Sequence, residues 1–264
     1  MPDSKLQTLH RLFDEMGSVL VAYSGGIDST VVLKVAHDRL GDRVVGVTAA
    51  SPTMPASELE EARRVAAEIG APHLVIETDQ LALPAFVRNE ADRCFHCKTD
   101  LYEAMGRLRA ERNGGVIVDG TNLDDLGDDR PGILAARRLG VRSPLVEAEL
   151  TKQDVRDLAR SLGLSIWDKP AAACLSSRIP RGIAITRETL RRVEQAEACL
   201  QEEGFRLVRV RDQGETARIE VDRKEVPRLL EEPRRSRVAA RLTALGFRHV
   251  TVDLEGYKRG GANS

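Results

Sequence analysis

Three groups of residues in this chain combine the types and the spacing that chemistry needs. The first is Ser24-Gly25-Gly26-Ile27-Asp28-Ser29-Thr30, one residue beyond the apolar run Val19–Ala22. Glycines at 25 and 26 let backbone N–H groups close around an anion, and the hydroxyls of Ser24, Ser29 and Thr30 add donors. A helix starting near Asp28 aims its positive end at the same point. A carboxylate beside polyphosphate is unfavourable unless a divalent cation lies between them, so Asp28 suits Mg²⁺ as well as the helix cap. The Lys-containing pattern G-x-x-x-x-G-K-[ST] occurs nowhere, which excludes a Walker A loop.

The second group is Asp119-Gly120-Thr121-Asn122, followed by the acidic stretch Leu123–Gly132 with Asp124, Asp125, Asp128 and Asp129. A backbone-exposing glycine before two small hydrogen-bonding side chains suits a nucleotide. An acidic run is more often a solvated surface, so Asp124 and Asp128 stand open between the two roles. The third group is the cysteines. Cys94-Phe95-His96-Cys97, immediately ahead of a predicted helix, is by itself a zinc half-site, a redox dithiol or neither. A zinc ribbon needs a second C-x-x-C, and none exists. With Cys174, three thiolates can hold three irons of a [4Fe–4S] cluster and leave the fourth iron open to an exogenous ligand. Cys174 also works without a cluster, since Arg178 and Arg181 make its surroundings electropositive and favour the thiolate. Cys199, in a helical pattern, reads as a small core residue.

The elements that must position these groups alternate. A first helix carries Leu6, Leu9, Leu12 and Phe13. Strands are predicted at Val19–Ala22, 44–48, 74–76 and Val116–Val118, and helices over 29–39, 58–70 and 98–112. This order predicts an α/β fold, a doubly wound parallel sheet covered on both faces. Ligands of such sheets sit beyond the carboxyl ends of the strands. There lie Ala22 with the Ser24 loop, the turn starting at Thr48, and Gly120, Thr121 and Asn122. After Pro170 the pattern changes to an irregular loop, then a helix over 187–204, a hairpin with strands 205–211 and 217–221, a helix near 238–245 and a strand at 250–254. The expected organisation is a nucleotide domain over 1–170, an active-site loop over 171–185 and a smaller C-terminal α+β domain over 186–264. The tail 259–264 is expected to fray.

Composition narrows the function classes. Forty Lys and Arg against 41 Asp and Glu leave a net charge of −1, so no global basic field advertises nucleic acid. No apolar run approaches the ~20 residues of a membrane span. The N-terminus is no signal peptide, and four cysteines in 264 residues make no disulfide scaffold, which points to reducing cytoplasm.

The Ser24–Thr30 loop resembles the PP-loop of ATP pyrophosphatases. Together with Asp119–Asn122, Asp128–Gly132, Cys174-Leu175-Ser176-Ser177-Arg178 and Arg209-Val210-Arg211, it resembles the LarE family over residues 5–258. These are ATP-dependent sulfur transferases of nickel-pincer nucleotide biosynthesis. The resemblance implies adenylylation of a carboxylate of pyridinium-3,5-biscarboxylic acid mononucleotide, followed by replacement of the activated oxygen with sulfur. It implies ATP and Mg²⁺ at Ala22, Ser24, Gly25, Gly26, Asp28, Ser29, Thr30, Thr48, Gly120, Thr121, Asn122 and Asp124. Substrate is expected at Ser177, Arg178, Arg209 and Arg211, the last two on its phosphate, and the assembly is expected to be a homo-hexamer. Members with a single cysteine give up the sulfur of the residue matching Cys174. The added Cys94 and Cys97 resemble the cysteine-rich branch, for which a [4Fe–4S] cluster carrying sulfide from a donor is proposed. Three rivals share parts of the pattern. A tRNA thiolation enzyme should show a basic stripe, a nucleotide-sensing module needs no Cys174, and an amidating synthase needs a glutaminase domain.

Overall fold

The structure, a computed structural model, describes residues 2–112, 114–127, 131–170 and 173–258. The expectations at Asp128, Asp129 and Arg130, at residues 171–172 and in the tail 259–264 lie outside the described residues. Two compact units divide the chain: Met1–Gln80 with Asp92–Ala171, and Leu81–Ala91 with Ala172–Ser264.

In the first unit, α1 (Pro2–Met16) buries Leu9, Leu12 and Phe13 at helical spacing. Strand β1 (Val19–Ala22) leads into α2 (Ile27–Leu40), then β2 (Val44–Ala50), α3 (Ala56–Ile69) and β3 (His73–Glu77). The one-turn helix α4 (Pro84–Val87) falls in the second unit. The chain returns through α5 (Arg93–Glu111), β4 (Val116–Val118), α6 (Pro131–Arg138), α7 (Pro144–Glu147) and α8 (Lys152–Ser161). The sheet is all parallel in the order β3-β2-β1-β4. Because β1 is covered on both faces, Val19, Leu20 and Val21 are all buried and the strand reads as one apolar run rather than an alternation.

Between Asn122 and Pro170 the sequence reading expects only a helix after the acidic stretch, yet three helices form there. Their signal is narrow. In α8 only Val155, Leu158 and Ala159 are buried, a single stripe on an otherwise charged helix. Its start is marked by a capping box, in which Asp154 accepts from Thr151 N at 2.9 Å while Thr151 Oγ1 accepts from Asp154 N at 3.2 Å. Lys5 Nζ reaches the same carboxylate at 2.8 Å, and this contact first, then the cap, holds the Asp154 carboxyl down to about 2. A depressed carboxyl stabilises the fold above its unfolded value of 3.8 and loses that contribution as pH falls through about 2. Asp154→Ala should therefore cost about 1 kcal/mol at neutral pH. In urea titrations the gap from wild type should close between those two pH values.

In the second unit α9 (Arg187–Glu202) packs on β5 (Val208–Gln213), which pairs antiparallel with β6 (Thr216–Val221). The pairing Gln213↔Thr216 leaves Gly214-Glu215 as a two-residue hairpin turn. Helices α10 (Val226–Leu230) and α11 (Arg234–Ala244) then carry the chain to β7 (His249–Val252), parallel to β6. Strand β5 begins three residues later than predicted because Phe205 N is bonded back to Leu200 O at the end of α9, its ring buried in the same core as Leu200, Val210 and Leu242. Cys199 is buried in the same core, and burial pushes its thiol pKa up. Segment 81–91 is pinned here by Asn89. Its Nδ2 donates to the carbonyls of Pro180 (2.8 Å) and Ile183 (3.0 Å), and its own carbonyl accepts from Gly182 N.

Candidate active site

The strand order places the chain's first reversal between β1 and β4, whose carboxyl ends carry the Ser24 loop and the Asp119–Asn122 loop. Adjacent strands leaving in opposite directions open a crevice there, where nucleotides bind in doubly wound sheets. Gly25 has φ +73°, and a Cβ on it would lie 2.9 Å from Ala62 Cβ, so the loop lies flat on α3 only as glycine. Gly120 is tighter still, since a Cβ there would meet the Ser29 backbone nitrogen at 2.7 Å. The two loops thus touch through their backbones.

Within the first loop Ser24 is exposed, and its Oγ accepts from Gly26 N at 3.3 Å and lies 3.2 Å from Ser29 Oγ. Helix α2 starts at Ile27 with no side-chain cap, which leaves its first amides to an anion. Asp28 Oδ1 accepts from Asn122 Nδ2 at 3.0 Å. Burial pushes the Asp28 carboxyl up, against the pull of that hydrogen bond and with a further push from Asp125. Asn122 is itself fully buried, and its Oδ1 is without a partner among the described residues. The Asp28 carboxylate and this orphaned carbonyl oxygen are hard donors of the kind Mg²⁺ takes, so the residues present fit the cation.

Several predicted contacts are otherwise employed. The Thr30 hydroxyl is fully buried and donates to Gly26 O at 2.8 Å, closing the loop from inside. Thr48 is buried, donates to Tyr23 O at 2.7 Å and faces His73 Nε2 at 2.8 Å. Thr121 donates through both its N–H and its hydroxyl to Asp119. Asp119 also takes hydrogen bonds from Ser143 and Tyr102, which makes it the hub of its loop. Asp124 accepts from Lys152 N at 2.7 Å, in the first turn of α8. Its neighbour Asp125, hidden in the acidic run and missed by the sequence reading, holds Asn122 N at 3.2 Å and Lys152 Nζ at 2.9 Å.

The C-x-x-C does not precede its helix but begins it. Asp92 O accepts from Phe95 N and His96 N, and Arg138 stacks 5.2 Å from the Phe95 ring centroid, so α5 is wound and anchored from Arg93 onward. Cys94 and Cys97 therefore share one helical face, neither is in a disulfide, and the first is exposed. Burial, the Asp119 charge and Cys97 together drive the Tyr102 hydroxyl pKa well above its usual value, and Tyr102 OH donates to Asp119 at 3.3 Å. This chain of neighbours links the C-x-x-C to the carboxyl end of β4.

In the second unit the free, exposed Cys174 precedes a short 3-10 turn over Leu175–Arg178. The sequence reads Arg178 as an electropositive neighbour of Cys174 and a substrate contact. Its guanidinium is buried in a bidentate pair with Glu197, both N–H···O distances being 2.8 Å, and donates to the carbonyls of Ala173 and Cys174 and to Ser177 Oγ. Arg211 is likewise bidentate on Glu220 and donates to Ser177 O at 2.9 Å. Arg209 stacks over Tyr257, and its own burial, then the neighbouring Arg178 charge, push its pKa down. Arg178 and Arg211 are thus paired with the buried Glu197 and Glu220, and the Arg209 charge lies close enough to both guanidinium groups to feel them. Among the described residues no three His, Cys, Asp or Glu side chains are gathered as a metal site.

Residues 18–94 match the family described as queuosine biosynthesis protein QueC. An uncharacterized protein of Synechocystis sp. is 43% identical over 100% of this chain and 98% of its own length. The pyridinium-3,5-bisthiocarboxylic acid mononucleotide synthase of Lactiplantibacillus plantarum is 38% identical over 98% of this chain and 94% of its own. A tRNA-specific 2-thiouridylase of Anaplasma marginale is 27% identical over 59% of this chain and 49% of its own. With a PP-loop crevice in place and near-complete coverage of the synthase, the chain belongs to the LarE family of ATP-dependent sulfur transferases.

Proposed function

We propose that this enzyme adenylylates a carboxylate of pyridinium-3,5-biscarboxylic acid mononucleotide and converts it to the thiocarboxylate, with Cys94, Cys97 and Cys174 together holding a [4Fe–4S] cluster. The observation that carries the first half is the Asp28–Asn122 hydrogen bond, which joins the phosphate loop to the β4 loop at one crevice. A carboxylate oxygen of the substrate attacks the α-phosphorus of ATP, and pyrophosphate leaves into the amides of Gly25, Gly26 and α2 and the Ser24 hydroxyl. Mg²⁺ held by Asp28 would neutralise that leaving group. The acyl adenylate is then an electrophile with a good leaving group, and attack by sulfur at its carbonyl carbon expels AMP. The neighbouring guanidinium groups of Arg178, Arg209 and Arg211 suit the substrate phosphate.

A cluster with one open iron would supply bound sulfide as the soft nucleophile. Two features of this chain support its ligand set. Cys94 and Cys97 stand on one face of α5, and Cys174 is an exposed thiol at the head of the Leu175–Arg178 turn. Anaerobically reconstituted wild-type protein should contain iron, absorb in the visible and turn over repeatedly with sulfide. Cys94→Ala, Cys97→Ala or Cys174→Ala should abolish the absorption, whereas Cys199→Ala should not. A wild-type protein without iron that loses about 34 Da at Cys174 in one turnover, as a sacrificed thiol does, would replace the cluster with the single-use route.

A further inference from the structure

We propose that Lys169 is a ligand of the ATP polyphosphate and that Glu58 and Glu61 compete with the nucleotide for its charge. The inference deepens the adenylylation proposed above and rests on that reading. Lys169 Nζ donates to the Gly25 carbonyl at 3.3 Å and to Glu58 Oε2 at 2.7 Å, and it also pairs with Glu61. Its side chain is only 11% exposed although it carries an ammonium. Gly25 is a residue of the phosphate loop itself, so this cation touches the turn whose amides face the anion.

The charge balance of the loop gives that contact a use. Ser24–Thr30 contains no Lys or Arg and one carboxylate, Asp28. A single Mg²⁺ shared by Asp28 and a polyphosphate leaves the site with excess negative charge, and a lysine is the compact point charge that relieves it. Glu58 and Glu61 lie three residues apart on one face of α3, so both reach the same ammonium. Two carboxylates and a carbonyl around one ammonium more than balance it. A rotation of the side chain's last bonds carries Nζ from those oxygens to phosphate oxygens held at the adjacent amides.

A purely structural tether between α3 and the loop would also explain the contacts, and the sign of two substitutions separates the readings. Binding of ATP and of AMP to the full-length protein with Mg²⁺ is measured by calorimetry, with thermal unfolding as the control for folding. Lys169→Met should weaken ATP about tenfold or more, about 1.4 kcal/mol, and leave AMP within about twofold. The double variant Glu58→Gln/Glu61→Gln should tighten ATP, because the competing carboxylates are gone while the lysine remains. Equal losses for ATP and AMP in Lys169→Met, or weaker ATP binding by the double variant, would establish the tether and overturn the proposal. If Lys169→Met does not fold, the sign in the double variant decides alone. Wild-type protein that binds no ATP would instead refute the adenylylation itself.

Discussion

Asp28→Asn is expected to lower pyrophosphate formation by a factor on the order of 10²–10³, the loss that follows removal of one preorganised electrostatic group. The same variant should be no less stable than wild type. An Asn at this position keeps an oxygen for the 3.0 Å hydrogen bond from Asn122 Nδ2, so the link between the two loops survives. Burial raises the Asp28 carboxyl, which means the ionised form is the costly one in the folded chain. A group whose folded pKa is raised loses its stabilising contribution as pH rises through that value, so at neutral pH the charge is a burden that the amide removes. Lost activity with an unchanged or higher Tm is therefore the signature. Pyrophosphate release at the wild-type rate would remove Asp28 from the cation site, and a lower Tm would mean that its charge serves the fold instead.

The second large effect is structural. Arg178→Ala leaves the Glu197 carboxylate buried without its bidentate partner, and breaking a buried pair in this way costs about 3–5 kcal/mol. It also removes the hydrogen bonds that hold the carbonyls of Ala173 and Cys174. Sulfur transfer should fall further than pyrophosphate formation, which loses only the Arg178 contribution to holding the substrate phosphate. The double variant Arg178→Met/Glu197→Leu replaces the pair with apolar side chains and should recover most of the stability. Sulfur transfer should stay low in it, because nothing then fixes the Cys174 backbone. Recovery of sulfur transfer along with stability would show that Arg178 serves the fold alone.

The parts of this protein that were legible in its sequence are those encoded by short-range patterns. A strand buried on both faces must be apolar at successive positions, so Val19–Ala22 and Val116–Val118 were bounded correctly from sequence. Two glycines between a strand and a helix announce a phosphate loop because few other residues allow that turn. Helix α8 shows the limit of periodicity: three buried residues in ten leave a pattern that a charged surface segment also produces.

Residue type and spacing in this chain determined the doubly wound sheet, the phosphate loop, Asp28 beside it and the separation of Cys199 from the other three cysteines. Only the tertiary structure decided which polar groups are spent holding the protein together. Thr30, Thr48 and Thr121 are the right types at the right strand ends, yet their hydroxyls are committed to Gly26, Tyr23 and Asp119. Arg178 and Arg211 look like open cations until Glu197 and Glu220 are found against them, and Lys169 meets Gly25 across 144 positions. The reason is physical: burial follows from a residue's own chemistry and its local period, whereas a hydrogen bond or ion pair depends on a partner whose place is set only when distant strands, helices and loops have packed.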